Sequence, residues 1–169
     1  YVNPLEVLPE ACHKDERKFH VKDIRQKWFG CACCPPNLAR TLSSVSSYAF
    51  TENDDPLFVH LYIGSDVKKK VNGEEVAVQI DSAFPWDGKV TVSVDGANVP
   101  LTLALRIPGW ANSYTVSADS SEYTIKDGYL YITRTWKKGE TLTLDFPMEI
   151  QVWNADPRVR EDIGKAAVT

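Results

Sequence analysis

From residue 57 onward, apolar residues recur at every second position in short runs, and Asn72-Gly73, Asp87-Gly88, Asp95-Gly96 and Asp127-Gly128 stand between the runs. No other feature of the chain narrows its possible folds so far. A period-two run turns one face toward a core, and Asn or Asp followed by Gly accepts the positive φ angles that close a tight hairpin. Strands are therefore expected over 57–64, 75–82, 89–95, 101–107, 114–118, 123–125, 129–134 and 141–152, with the segment from Tyr123 to Tyr131 as the clearest hairpin. In the first run Leu57, Val59, Leu61 and Ile63 form one face and Phe58, His60 and Tyr62 the other. Lys68-Lys69-Lys70 beside Asn72-Gly73 reads as a solvated hairpin tip. Ala166, Ala167 and Val168 read as the start of a further strand. Strands so closely spaced leave no room for crossover helices, which predicts a mainly β fold: an antiparallel, jelly-roll-like β-sandwich.

The 169 residues suffice for one domain, or one domain and the edge of another. Lys and Arg number 19 against 23 Asp and Glu, and the resulting net charge of -4 argues against nucleic acid or an anionic membrane as partner. With 43% hydrophobic and 25% charged residues the composition is that of an ordinary folded protein. No apolar run approaches the roughly 18 residues of a membrane span. The opening Tyr1-Val2-Asn3-Pro4 carries neither an initiator Met nor a signal-peptide pattern, so the chain reads as an excised piece.

The pattern changes at the polar connector Thr51-Glu52-Asn53-Asp54-Asp55-Pro56, which divides the chain into residues 1–52 and 53–169. Before it, Leu38, Leu42, Val45 and Ala49 recur at helical spacing and predict a helix over 37–50, with Pro35-Pro36 at its start. Residues 1–29 are rich in charge and read mainly as loop.

Directly before that helix lies Trp28-Phe-Gly-Cys-Ala-Cys-Cys-Pro-Pro-Asn37. Cysteines so crowded bridge one another badly, so thiol or metal chemistry is the first reading, in a reducing compartment such as the cytoplasm. Pro35 biases Cys34 toward extended backbone, and the helix behind it turns unsatisfied N–H groups and its positive end toward the sulfurs, which favours thiolate. Thiolates of this kind serve as zinc ligands or as nucleophiles. Two of them do not complete a zinc site, and further donors would come from Cys12, Cys31, the histidines or carboxylates. The plainer reading makes these cysteines small buried apolar side chains.

Three segments carry a resemblance: Tyr1-Val-Asn-Pro-Leu-Glu6, the cysteine segment ending at Asn37, and Leu105-Arg-Ile-Pro-Gly-Trp110, with Asn154 to Lys165 as a fourth stretch. Together they resemble the β-L-arabinofuranosidases of glycoside hydrolase family 127 over essentially the whole chain. The resemblance implies a C-terminal portion of such an enzyme: the end of an (α/α)6 catalytic barrel, including one remaining helix, joined to most of a β-sandwich. It implies that Cys33 is the nucleophile and also touches a zinc ion, that Cys34 is a zinc ligand, and that Tyr1 contacts substrate. Cys31 matches a family cysteine without a catalytic role. The remaining zinc ligands, a glutamate and a cysteine two residues later, and the acid/base glutamate would all precede Tyr1. Glu10-Ala11-Cys12 has the spacing of that ligand pair but lies on the wrong side of the Tyr1–Glu6 segment, so it is not assigned.

The implied chemistry is retaining hydrolysis of a β-L-arabinofuranoside-containing glycan by two displacements through a glycosyl-cysteine. This chain, lacking the acid/base group, would be inactive by itself and would depend on the upstream barrel of the same protein. The alternative is a non-catalytic sandwich module for packing or carbohydrate binding, with structural cysteines. His60 is expected to be a satisfied surface group. His13 and His20 flank a charged loop, and Trp86 and Trp110 are expected in the core rather than on a sugar-stacking surface.

Overall fold

The computed structural model describes residues 9–19, 21–24, 27, 33–96 and 98–168. The chain divides into two compact units, residues 1–46 and 47–169.

In the first unit a short helix α1 (Pro9–Lys14) is followed by a 3-10 turn (Glu16–Lys18) and then by helix α2 (Cys34–Ser44). The stretch read as loop thus contains a helix, because Glu10 and Lys14 stand four residues apart and join at 2.8 Å. Asp15 stops it by accepting from the Arg17 amide. Helix α2 starts three residues earlier than the spacing predicted and ends sooner. Thr41, Ser43 and Ser44 turn their hydroxyls back onto carbonyls one turn up, at 2.8–2.9 Å, a bond that loosens a helix. Its apolar residues Leu38 and Leu42 are 62% and 66% exposed.

One further turn of helix, α3 (Ser46–Ala49), begins at the last residue of the first unit, and the second unit is then almost entirely strand. The strands are β1 (Phe50–Glu52), β2 (Leu57–Val59), β3 (Ser65–Val71), β4 (Glu74–Ser82), β5 (Lys89–Asp95), β6 (Val99–Arg106), β7 (Thr115–Val116), β8 (Tyr123–Lys126), β9 (Tyr129–Trp136), β10 (Glu140–Asp145), β11 (Val152–Asn154) and β12 (Ala166–Val168). They form two five-stranded sheets, ordered β1-β2-β6-β9-β8 and β3-β4-β5-β10-β7, and a separate β11-β12 pair. The two large sheets make the expected sandwich. Its core is the inward row of each strand: Val76, Val78 and Ile80, with Val90, Val92 and Val94, meet Leu101, Leu103 and Leu105, with Leu130 and Ile132. Trp136 closes one end, fully buried, its indole N–H donating to the Leu101 carbonyl at 2.9 Å.

One strand pair departs from the antiparallel expectation, since β2 runs parallel to β6. The chain between them builds β3, β4 and β5 of the opposite sheet. Strands rather than a helix therefore supply the crossover that a parallel pair needs.

The first period-two run breaks after three residues. The amides of His60 and Leu61 both point at the Ala49 carbonyl, at 2.8 and 3.4 Å, a bulge in which two residues oppose one. Beyond it the parity reverses: Tyr62 is buried and Ile63 is 41% exposed, the opposite of the predicted faces.

The lysine run is likewise more than a hairpin tip. It lies within β3, and the middle residue, Lys69, is buried, its ammonium donating to the Asn53 carbonyl at 2.9 Å and pairing with Glu52. The predicted 141–152 strand is two strands with an irregular segment between. Ala166–Val168 does form a strand, paired with β11. Two of the four turn dipeptides adopt the positive φ angles expected of them: Asn72 and Gly73, and Asp127 and Gly128.

Candidate functional site

The thiol pair sits at the start of α2. Cys33 is the residue that caps the helix and Cys34 is its first residue. Cys33 has helical φ and ψ of -67° and -34°, and its carbonyl accepts from Asn37 at 3.2 Å. The expected extended backbone at Cys34 is therefore corrected: the hydrogen bonds of a forming helix outweigh the preference imposed by the following proline.

The early start changes the electrostatics. Pro35 and Pro36 fill the second and third helical positions and have no N–H, so fewer backbone donors face the sulfurs than the sequence suggested. The aligned peptide dipoles remain, and the first turn holds no acidic residue to offset them.

The two sulfurs lie 3.8 Å apart, and both side chains are exposed. That separation is far beyond the roughly 2.05 Å of a disulfide. It is the span two donors would need to share one small ion. Among the described residues, no three His, Cys, Asp or Glu groups converge on a common point.

Tyr1, Cys31 and His20 lie outside the described residues. Cys12 is buried, while Glu10 is exposed and engaged with Lys14; nothing brings that pair together as ligands. His13 is held by Asp23 at 3.1 Å, and this hydrogen bond holds the Asp23 carboxyl below its usual range.

In the sandwich, His60 is satisfied as expected. Its ring nitrogens bond Thr51 Oγ1 and the Tyr129 hydroxyl, each at 2.7 Å, and it stacks on Phe58. Burial, with the nearby Arg106 charge second, pushes its pKa down. The Tyr62 hydroxyl donates to the Arg106 carbonyl at 2.6 Å, and burial pushes its pKa up.

The tryptophans are not core residues. Trp86 is 90% exposed and Trp110 37%, because each lies in a loop beyond the last paired residue of its strand. Trp110 lines two adjoining clefts. One, of about 610 Å³, also involves Phe84, Pro85, Met148, Ile150 and Trp153. The other, of about 320 Å³, involves His60, Tyr62, Phe84, Arg106 and Pro108. The reading of Trp110 as packing material missed these clefts. The available signal was its place at the end of Leu105-Arg-Ile-Pro-Gly-Trp110, where proline and glycine end the strand.

Comparison with known proteins agrees over both units. Residues 1–47 match the model of the beta-L-arabinofuranosidase GH127 catalytic domain, and residues 56–148, more than half of the chain, match that of the GH127 middle domain. A non-reducing end beta-L-arabinofuranosidase of Bifidobacterium longum subsp. longum is 37% identical across 99% of the chain. A GH127 beta-L-arabinofuranosidase from Geobacillus stearothermophilus T6 superimposes over 100% of the chain with a TM-score of 0.83 and 45% identity. A second GH127 beta-arabinofuranosidase does so over 86% with a TM-score of 0.76 and 32% identity. The chain spans only about a quarter of these relatives, 26%, 27% and 26% of their lengths respectively. Its sandwich and its cysteine-bearing helix each find their counterpart in one and the same family of enzymes, and the chain belongs to that family, the GH127 beta-L-arabinofuranosidases.

Proposed function

We propose that the chain is part of a retaining glycoside hydrolase that cleaves β-linked L-arabinofuranosides, with Cys33 as nucleophile and Cys34 as the adjacent metal ligand. In this reading residues 1–52 end an (α/α)6 catalytic barrel, residues 53–169 are the β-sandwich, and Tyr1 contacts substrate. The observation that carries it is the adjacent thiol pair at a helix start, within the segment that matches the catalytic-domain model. The exposed Leu38 and Leu42 support it too, since a barrel helix has neighbours on its apolar side.

The donor set fits zinc. At a Zn–S bond of about 2.3 Å and a tetrahedral angle, two thiolates on one ion stand about 3.8 Å apart, and the sulfurs here are 3.8 Å apart. Cys33 and Cys34 would hold the ion together with donors from outside this chain, and zinc bound there would keep both sulfurs anionic at neutral pH.

The Cys33 thiolate attacks the anomeric carbon. A C–S bond forms as the glycosidic C–O bond breaks, and the departing oxygen takes a proton from an acid outside the chain. Water then attacks the same carbon and gives its proton to the group that protonated the leaving oxygen, the thiolate leaves, and the configuration is retained. Helix α2 fixes the sulfur's position, and its dipole opposes reprotonation.

In the complete enzyme, Cys33→Ala should lower turnover of an aryl β-L-arabinofuranoside by at least about a thousandfold, as loss of a covalent nucleophile does. Cys34→Ala should lower bound zinc as well as turnover. Normal turnover by the Cys33 variant would remove the nucleophile assignment. The 169-residue chain by itself should show no hydrolysis.

A further inference from the structure

We propose that the sandwich cleft between Arg106 and Trp110 is a saccharide site selective for a carboxylated sugar, a hexuronate residue of a glycan. The proposal rests on the reading of the chain as part of a glycan-acting enzyme and adds a ligand class and a place for it.

Charge comes first. Among the described residues that line the cleft, Arg106 carries the only full charge, and none is Asp or Glu. Arg17, Arg134 and Arg158 each pair with a carboxylate, but among the described residues no carboxylate pairs with Arg106. Arg106 is an exposed residue at the end of β6. The other titratable side chains in the lining add no negative charge. His60 is neutral at neutral pH, its ring nitrogens occupied by Thr51 and Tyr129. Tyr62 spends its hydroxyl on the Arg106 carbonyl and so stays protonated. A recess with one uncompensated, always-charged planar fork is complementary to a carboxylate, which it can grip with two parallel hydrogen bonds.

Shape narrows the class. Phe84, Pro85 and Trp110 give the cleft an apolar lining, the two rings with centroids 5.9 Å apart and planes inclined at 31°. An indole in the lining of a cleft suits the C–H face of a pyranose ring. Inorganic phosphate or sulfate would leave that lining unused, and a neutral sugar would leave the guanidinium unused. The lining is held in place, since Gln151 Nε2 donates to the Trp110 carbonyl at 3.2 Å. Past Trp110 the cleft continues into the larger one, where the charged lining residue is Glu149. A glycan would therefore seat its acidic residue at Arg106 and run on with a neutral one toward Trp153.

The test is calorimetric titration of the 169-residue chain with an aldobiouronic acid, a glucuronosyl residue linked to a neutral galactose, and with its methyl ester, alongside indole fluorescence. The acid form should bind at least about tenfold more tightly than the ester, the difference expected of a charge-assisted bidentate contact. Arg106→Gln should remove that difference while leaving the circular-dichroism melt unchanged, and Trp110→Ala should weaken both forms. Equal binding of acid and ester, no binding of the acid, or an unaltered preference in the Arg106 variant would overturn the proposal. So would a finding that phenylglyoxal modifies Arg106 in this chain but not in the sugar-free complete enzyme, which would mean that another part of the same polypeptide covers the cleft. Hydrolysis of an arabinofuranoside by the complete enzyme enters none of these measurements, so the family reading stands or falls separately.

Discussion

Single side chains decide more here than their number suggests. The Tyr62 hydroxyl holds the Arg106 carbonyl where the bulge after β2 has turned the ring inward. Tyr62→Phe keeps the ring and gives up a part-buried hydrogen bond, so it should cost about 1 kcal/mol in a denaturant titration. His60 gives a pH signature. Its pKa is lowered by burial, so the unfolded chain binds a proton that the folded chain refuses. Stability is complete above the ordinary histidine value of about 6.5 and falls as pH drops below it. A melt series from pH 7.5 to 5.5 should show a decline that His60→Gln reduces; an identical decline in the variant would assign it to other groups. The thiol pair shows the same economy, because two prolines after Cys34 remove amide donors that an ordinary helix start would have offered the sulfur.

At the scale of elements, the sheets are held in register by their turns and by close backbone approaches. Asp127 and Gly128 take φ of 52° and 79° and close the β8-β9 hairpin, the mirror-image turn whose twist matches a strand pair. Gly88 works differently. Its φ is not in the left-handed region, but a Cβ there would run into the Phe146 backbone carbonyl, and the Phe146 amide donates to the Gly88 carbonyl at 3.1 Å. Backbone does not move aside as a flexible side chain would, so Gly88→Ala should destabilise the sandwich by about 2 kcal/mol or more. Chemical unfolding of the variant is the check, and a neutral result would mean that β5 and β10 separate there at little cost. The bulge at His60–Leu61 is the corresponding device in the other sheet: one extra residue reverses which side chains enter the core.

At the scale of the whole molecule, the two units differ in how completely they bury their own apolar residues. The sandwich encloses a continuous core drawn from both sheets, whereas α2 buries none of its residues. Residues 47–169 expressed alone should therefore melt cooperatively, with a midpoint within a few degrees of the sandwich transition of the full chain. A broad, non-cooperative melt would show that the sandwich depends on the first unit. The first unit matches the catalytic-domain model and the second the middle-domain model, and the chain spans about a quarter of each relative's length.

Local pattern alone was enough for the sandwich, most of its strands and the place of the cysteine pair at a helix start. Period-two burial and Asn-Gly or Asp-Gly turns are set within a few residues, and Cys-Cys-Pro-Pro-Asn can be recognised without coordinates. What lay beyond it depended on residues distant along the chain. The parity switch before Tyr62 requires the Ala49 carbonyl, the burial of Lys69 requires Asn53, and the parallel β2-β6 pair requires three intervening strands in the opposite sheet. The cleft at Arg106 and Trp110 belongs to the same group. Its walls come from segments up to about 50 residues apart, and no window of sequence contains the empty space that folding leaves between them.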